Sequence, residues 1–262
     1  MTTQRPPLEP TLRAARDAGR KLFLPYMTGG LGDDWLDVVR AYAAAGADAI
    51  EIGIPFSDPV MDGPTIQEAS ERALRAGATP VSVLRELADL DVSVPLVVMT
   101  YYNLAFHAGH ERFAHQLADS GVGGCILPDL PLEEAGPWCD AADGADVATV
   151  LLAAPTAPDE RLPRICERSR GFVYAVGLVG VTGERSTLAA STTVMAKRLK
   201  AVTDRPVIAG IGISSAEQAV EACTEADGIV MASAIMRVLL DGGGPDEAGA
   251  FAAEVRAAID RG

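Results

Sequence analysis

Leu22-Phe-Leu-Pro-Tyr-Met-Thr28 runs directly into Gly29-Gly-Leu-Gly-Asp33, and the reading of that junction decides the fold. The first part is a short, nearly continuous apolar run without polar alternation, as expected of a parallel strand buried on both faces. A doubly wound open sheet would place a G-x-G-x-x-G turn after such a strand. The glycines here lack that spacing. Working outward, seven more runs of the same kind occur at 49–54, 96–101, 125–128, 147–153, 172–176, 207–211 and 228–231.

Amphipathic stretches separate these runs. Asp33 precedes Trp35, Val38, Val39 and Tyr42, an i, i+3, i+4, i+7 stripe. Thr65-Ile-Gln-Glu68 and Ser214-Ser-Ala-Glu217 have the form of capping boxes, and Thr156-Ala-Pro-Asp159 is a looser version. Further helices are expected at 81–90, 111–120, 133–142, 188–202 and 235–240, with a terminal helix at 245–259. No Ser/Gly-rich linker divides the 262 residues. Eight strands, each followed by a helix, predict an α/β fold: a single (β/α)8 TIM barrel over 1–262, with extra N- and C-terminal helices.

Composition narrows the partners. The chain is 48% hydrophobic and carries 22 Lys+Arg against 36 Asp+Glu, a net charge of -14. Such a field repels phosphate backbones and anionic lipid, so neither nucleic acid nor a membrane surface is an expected partner. The longest apolar stretches, such as 206–213, fall far short of the roughly 20 residues of a membrane helix. No secretory signal is evident at the N-terminus. Cys125, Cys139, Cys166 and Cys223 are scattered, which reads as buried thiols of a cytoplasmic protein rather than a disulfide frame or zinc site. His107, His110 and His115 share one segment, but no further ligand completes a metal set, and they read as solvated helix residues. G-x-S-x-G, G-K-[ST] and H-E-x-x-H are all absent, against a serine hydrolase, a P-loop NTPase and a zincin.

In a barrel the active site gathers at the C-terminal ends of the strands. The second strand opens Glu51-Ile-Gly-Ile-Pro-Phe-Ser-Asp-Pro-Val-Met-Asp62-Gly-Pro-Thr65. Glu51 is a carboxylate inside an apolar strand, facing either the lumen or the helix layer. Either position is costly without a partner. In the lumen mouth, desolvation would raise its pKa and suit it to general acid–base work; the alternative is a structural pair with an Arg or a backbone amide. Asp58, before Pro59, reads as a turn former. Asp62 is weak evidence alone, but with Glu51 it offers two carboxylates of unequal burial, a recurring way to split acid and base roles. Gly177-Leu-Val-Gly180-Val-Thr-Gly183, Gly210-Ile-Gly212 and Met231-Ala232-Ser233-Ala234 supply glycine or small-residue turns after strands six, seven and eight. Backbone N–H groups and a helix N-terminus there can hold a phosphate without lysines.

Together these stretches resemble the α subunit of tryptophan synthase over nearly the whole chain. The most specific is Glu51 to Gln67, close to the family's E-L-G-x-P-F-S-D-P-x-A-D-G-P-x-I-Q. Pro25-Tyr-Met-Thr28, Met99-Thr-Tyr-Tyr-Asn103, Pro128-Asp-Leu-Pro131, Gly180-Val-Thr-Gly183, Gly210-Ile-Gly-Ile-Ser214 and Ala226-Asp-Gly-Ile-Val230 follow in family order. The resemblance implies a lyase of tryptophan biosynthesis. It would cleave indole-3-glycerol phosphate to indole and glyceraldehyde 3-phosphate by a cofactor-free retro-aldol reaction. It implies Glu51 as general acid–base and Asp62 as the carboxylate facing the indole N–H. Tyr26, Tyr174 and Thr182 would line the substrate, and Gly183, Gly212, Ala232 and Ser233 would hold the phosphate. It also implies a β-subunit partner, with two α and two β chains. The segment 179–188 would be a lid that closes over substrate and brings Thr182 near Asp62. The chain departs from the family where Gly is common at Ala232, Ser at Gly177 and Pro at Leu104. Two other readings are a stand-alone indole-glycerol phosphate lyase that releases free indole, and a non-catalytic barrel that binds a phosphorylated ligand. Another phosphosugar barrel, such as an isomerase, would need a Lys or His at a strand end.

Overall fold

In a computed structural model, residues 5–177, 185–210 and 212–262 are described, with the backbone alone for 185–191. The segment 178–184, which carries Thr182, Gly183 and most of the expected lid, and Ile211 lie outside the described residues.

Eight parallel strands close into a barrel in chain order: β1 (Leu22–Thr28), β2 (Ile50–Gly53), β3 (Leu96–Met99), β4 (Gly124–Ile126), β5 (Ala148–Ala153), β6 (Val173–Val176), β7 (Val207–Gly210) and β8 (Gly228–Met231). Leu22 pairs with Gly228 and Pro25 with Met231, which seals β8 to β1. The strand expectations at 22–28 and 228–231 hold to the residue; the other six strands are shorter by one or two residues, and β4 starts one residue earlier than expected. The helices are α1 (Leu8–Asp17), α2 (Trp35–Ala44), α3 (Pro64–Arg75), α4 (Pro80–Ala88), α5 (Tyr102–Ala108), α6 (His110–Asp119), α7 (Gly136–Gly144), α8 (Leu162–Arg168), α9 (Arg185–Lys200), α10 (Ala216–Cys223), α11 (Ser233–Leu240) and α12 (Pro245–Ile259). Among the described residues, none is long and apolar enough to cross a membrane.

Two apolar layers account for the continuous runs. Leu22, Leu24, Val97, Ile126, Val150, Phe172, Ile208 and Val230 fill the lumen. Leu8 and Leu12 of α1 join that cluster and close its N-terminal end. The alternate strand residues, such as Phe23, Ile50, Ile52, Val98 and Ile229, pack outward against the helices. Arg5, ahead of α1, is buried and donates to the carbonyls of Leu87 and Leu90 and of Ser120 and Gly121. One guanidinium therefore caps the C-terminal ends of α4 and α6, where the helix dipole favours a cation.

Several helix starts differ from expectation for local reasons. Pro64 takes the first position of α3, where its fixed φ and missing N–H cost nothing. Thr65 is thus inside the helix and forms no capping box; its hydroxyl accepts from Arg237 at 3.0 Å. The α10 cap is Ser215, one residue beyond the expected Ser214, and it accepts from the Gln218 N–H. Thr156 caps nothing: α8 follows a 3-10 turn at Asp159–Arg161. The box that does form, Thr79 with Ser82 at the start of α4, was not foreseen. Helix α9 begins at Arg185, ahead of the expected 188. His107 and His115 are exposed as expected, but His110 is half-buried. Its Nε2 lies 3.0 Å from the Tyr102 hydroxyl and its ring is edge-on to Trp138. All four cysteines are buried and free.

Candidate active site

Glu51 sits on β2 two residues after Ala49, which belongs to the lumen cluster, so the side-chain period of two turns it into the lumen. It is 1% exposed. Its Oε2 is buried and has no hydrogen-bond partner among the described residues, and no Arg among them pairs with it. Burial, and then the nearby charge of Asp62, pushes its pKa up to about 8. Such a carboxyl keeps its proton at neutral pH.

Two phenols flank this position. Tyr26 on β1 is the register neighbour of Glu51, and its hydroxyl takes a hydrogen bond from Thr28 Oγ1 at 3.3 Å. The ring lies over Gly53, where a Cβ would come within 1.8 Å of the Tyr26 oxygen. Tyr174 on β6 is also in the lumen, and a Cβ at Gly210 would come within 2.1 Å of its ring. A glycine at the end of β2 and another at the end of β7 are therefore what let two aromatic rings into the mouth. Burial raises the pKa of both phenols, and the charges of Glu51 and Asp62 raise them further, so both stay protonated donors.

Asp62 lies on the loop between β2 and α3 and is half-buried. Burial pushes its pKa up to about 6, against a hydrogen bond from Tyr101 that pulls it down. At neutral pH it is mostly ionised while Glu51 is mostly protonated. One site thus holds a proton donor beside a fixed negative charge. Asp58 forms the expected turn: its carbonyl accepts from Val60 N–H at 2.9 Å, and its carboxylate takes the Ser57 hydroxyl.

The expected anion cradle is partly described. Gly212 has φ +86°, a left-handed conformation that favours glycine. Ala232 is the N-cap of α11 and Ser233 its first residue, with no side-chain cap on the helix. The first N–H groups of α11 are therefore available to a ligand. Arg237, the basic residue of α11, is turned to Thr65 and Glu68 instead. Thr182 and Gly183 lie outside the described residues. A separate hollow of about 1070 Å³ opens at the N-terminal end of the barrel beside Arg5, Glu9 and Asp146 and shares none of these residues.

Sequence reasoning placed Tyr101 within Met99-Thr-Tyr-Tyr-Asn103 but gave it no role. It follows Val97 and Met99 at the lumen-facing spacing of β3, and that parity was the available signal. It is buried, and its ring stacks on Phe56 with centroids 5.1 Å apart.

Comparison with known proteins agrees with the geometry. The family model described as "Tryptophan synthase alpha chain" matches residues 12–257. The chain is 42% identical to the tryptophan synthase alpha chain of Streptomyces coelicolor over 245 residues, covering 92% of this chain and 90% of that one. It is 42% identical to that of Thermobifida fusca over 258 residues, covering 95% and 96%. Among solved structures, one of Mycobacterium tuberculosis tryptophan synthase superposes with a TM-score of 0.88 at 37% identity, covering 97% of this chain and 98% of that one. The alpha subunit from Legionella pneumophila superposes at 0.85 with 29% identity, covering 97% and 98%. A closed eight-strand barrel, a buried strand-two carboxyl and this breadth of sequence match lead to one conclusion: the chain belongs to the tryptophan synthase alpha chain family.

Proposed function

We propose that residues 1–262 form one catalytic barrel that cleaves indole-3-glycerol phosphate to indole and glyceraldehyde 3-phosphate, with Glu51 as proton donor and acceptor and Asp62 as the charge that steadies the ring. The carrying observation is the buried Glu51 carboxyl, whose Oε2 has no hydrogen-bond partner among the described residues and whose pKa burial and the nearby Asp62 push up to about 8. Neutral indole is a poor carbon leaving group. Glu51 therefore first gives its proton to indole C3, which leaves positive charge on the ring nitrogen. The C–C bond then breaks, its electron pair restores the indole, and the side-chain hydroxyl becomes the aldehyde. The hydroxyl proton returns to the Glu51 carboxylate, so the residue ends as it began. Asp62 accepts from the indole N–H and offsets the charge while it lasts, an electrostatic contribution largest at the transition state. Tyr26 and Tyr174 line the ring. Thr182 closes on the substrate near Asp62, and Gly183, Gly212, Ala232 and Ser233 bind the phosphate end, chiefly through backbone N–H groups.

The chain works in the cytoplasm with a β subunit, in an assembly of two α and two β chains. Val60 and Met61 on the loop after β2 and Phe106 on α5, at 79%, 51% and 66% exposure, support a partner surface there. Exposed large apolar residues on neighbouring segments suit docking. The test is Glu51→Gln. It should bind indole-3-glycerol phosphate as the native chain does, yet turn it over about 10²–10⁴ times more slowly, the usual worth of general acid–base catalysis. Near-native turnover by the folded variant would end this reading.

A further inference from the structure

We propose that Tyr101 is a positioning residue for Asp62, tying the β2–α3 loop to β3 at both of its ends and fixing the carboxylate beside Glu51. This rests on the reading of Asp62 as the charge that steadies the ring. The loop, residues 54–63, has little of its own to hold it. Its internal bonds are two tight turns, from Val60 N–H to the Asp58 carbonyl and from Asp62 N–H to the Pro59 carbonyl, and the Ser57 hydroxyl to the Asp58 carboxylate. Ser57, Asp58, Val60 and Met61 are exposed. Gln67 donates to the Asp62 carbonyl at 2.9 Å, which holds backbone but not carboxylate.

Tyr101 supplies what the loop lacks. Its ring stacks on Phe56 near the start of the loop, at 5.1 Å and 23°. Its oxygen accepts from Met61 N–H at 2.9 Å near the end. The Asp62 carboxylate, one residue on, lies close enough to the same hydroxyl for each to bear on the other's charge. A phenol has one hydrogen and two lone pairs. The Met61 N–H takes a lone pair, so the single hydrogen remains for Asp62. That division favours an ionised Asp62 and sets the direction from which its carboxylate is held. Tyr101 is itself firmly placed: it is buried, Thr100 N–H bonds to the Ile126 carbonyl, and Leu104 N–H bonds to the Tyr101 carbonyl at the start of α5.

Tyr101→Phe keeps the ring and the Phe56 stack and deletes only the oxygen. With the melting temperature little changed, kcat should fall about tenfold to a hundredfold, as expected for a lost hydrogen bond to a charged group. KM should change little, because the effect is on the transition state. The acid limb of the rate profile should move to higher pH, since the bond that holds Asp62 ionised is gone. In an Asp62→Asn background the same change should add almost nothing. A packing role predicts the opposite: an unmoved limb and equal losses in both backgrounds. Either result, or native turnover by Tyr101→Phe, overturns the proposal while leaving Asp62 itself standing if Asp62→Asn is slow. Native turnover by Asp62→Asn would remove the reading of Asp62 and this proposal with it.

Discussion

Replacing Glu51 with Gln should stabilise the folded chain, and the gain should grow with pH. Glu51 is held at a pKa of about 8 in the folded state against an ordinary 4.5. A carboxyl whose folded pKa is raised binds its proton longer when folded than when unfolded. Folded stability therefore falls as pH rises from about 4.5 to about 8 and is level above that. Taking those two values, the cost of Glu51 is about 1 kcal/mol at pH 5 and about 4 kcal/mol at pH 8. Gln carries the same volume and no titration, so its own burial cost is constant with pH. For a chain of this length, the roughly 3 kcal/mol difference corresponds to about 6 °C in Tm. The assay is thermal unfolding of both proteins from pH 5 to pH 8. The gap between variant and native should widen by several degrees over that range. A gap that stays constant would refute the burial argument for Glu51, because a solvated or salt-bridged carboxyl has no such slope.

The remaining predictions use other parts of the site. The pH profile of kcat/KM should be a bell, rising through about 6 as Asp62 ionises and falling through about 8 as Glu51 loses its proton; a profile flat from pH 5 to pH 9 would oppose both assignments. Gly53→Ala puts a Cβ within 1.8 Å of the Tyr26 oxygen. It should cost about 1–3 kcal/mol by overpacking, read as a lower denaturant midpoint, and reduce turnover by displacing that ring. Phe106→Asp should leave the rate of the isolated chain unchanged and weaken its association with a matching β subunit, measured by titration. A β subunit that binds should also raise the indole-forming rate, by favouring the closed site.

The fold was largely legible because parallel strands buried on both faces cannot hide their apolar runs. At β1 Lys21 and Gly29 bracket the apolar stretch, and at β8 Asp227 and Ser233 nearly do, so even the limits were readable. Helix α5 was not, because its seven residues bury only Ala105 and show no stripe. Pro64 displaced the expected Thr65 cap, since a proline at the first helical position outweighs a capping pattern one residue later. In the site, Glu51 announced itself as a charge in an apolar strand. Asp62 was readable only through the family motif, because a carboxylate in a loop before Gly-Pro looks like any turn residue. Tyr101 was legible in a family stretch but without a role. Strand parity marks it only as lumen-facing; its role depends on the β2–α3 loop folding back across β3, a long-range contact.

The most direct measurement is product formation from indole-3-glycerol phosphate by the purified native chain at neutral pH, with no cofactor added. Indole and glyceraldehyde 3-phosphate should appear in equal amounts, and Glu51→Gln, still folded and still binding substrate, should form them slower by about 10²–10⁴. No indole from the native chain, alone or with a β subunit bound, or indole formed as fast by the Gln variant, would contradict the account.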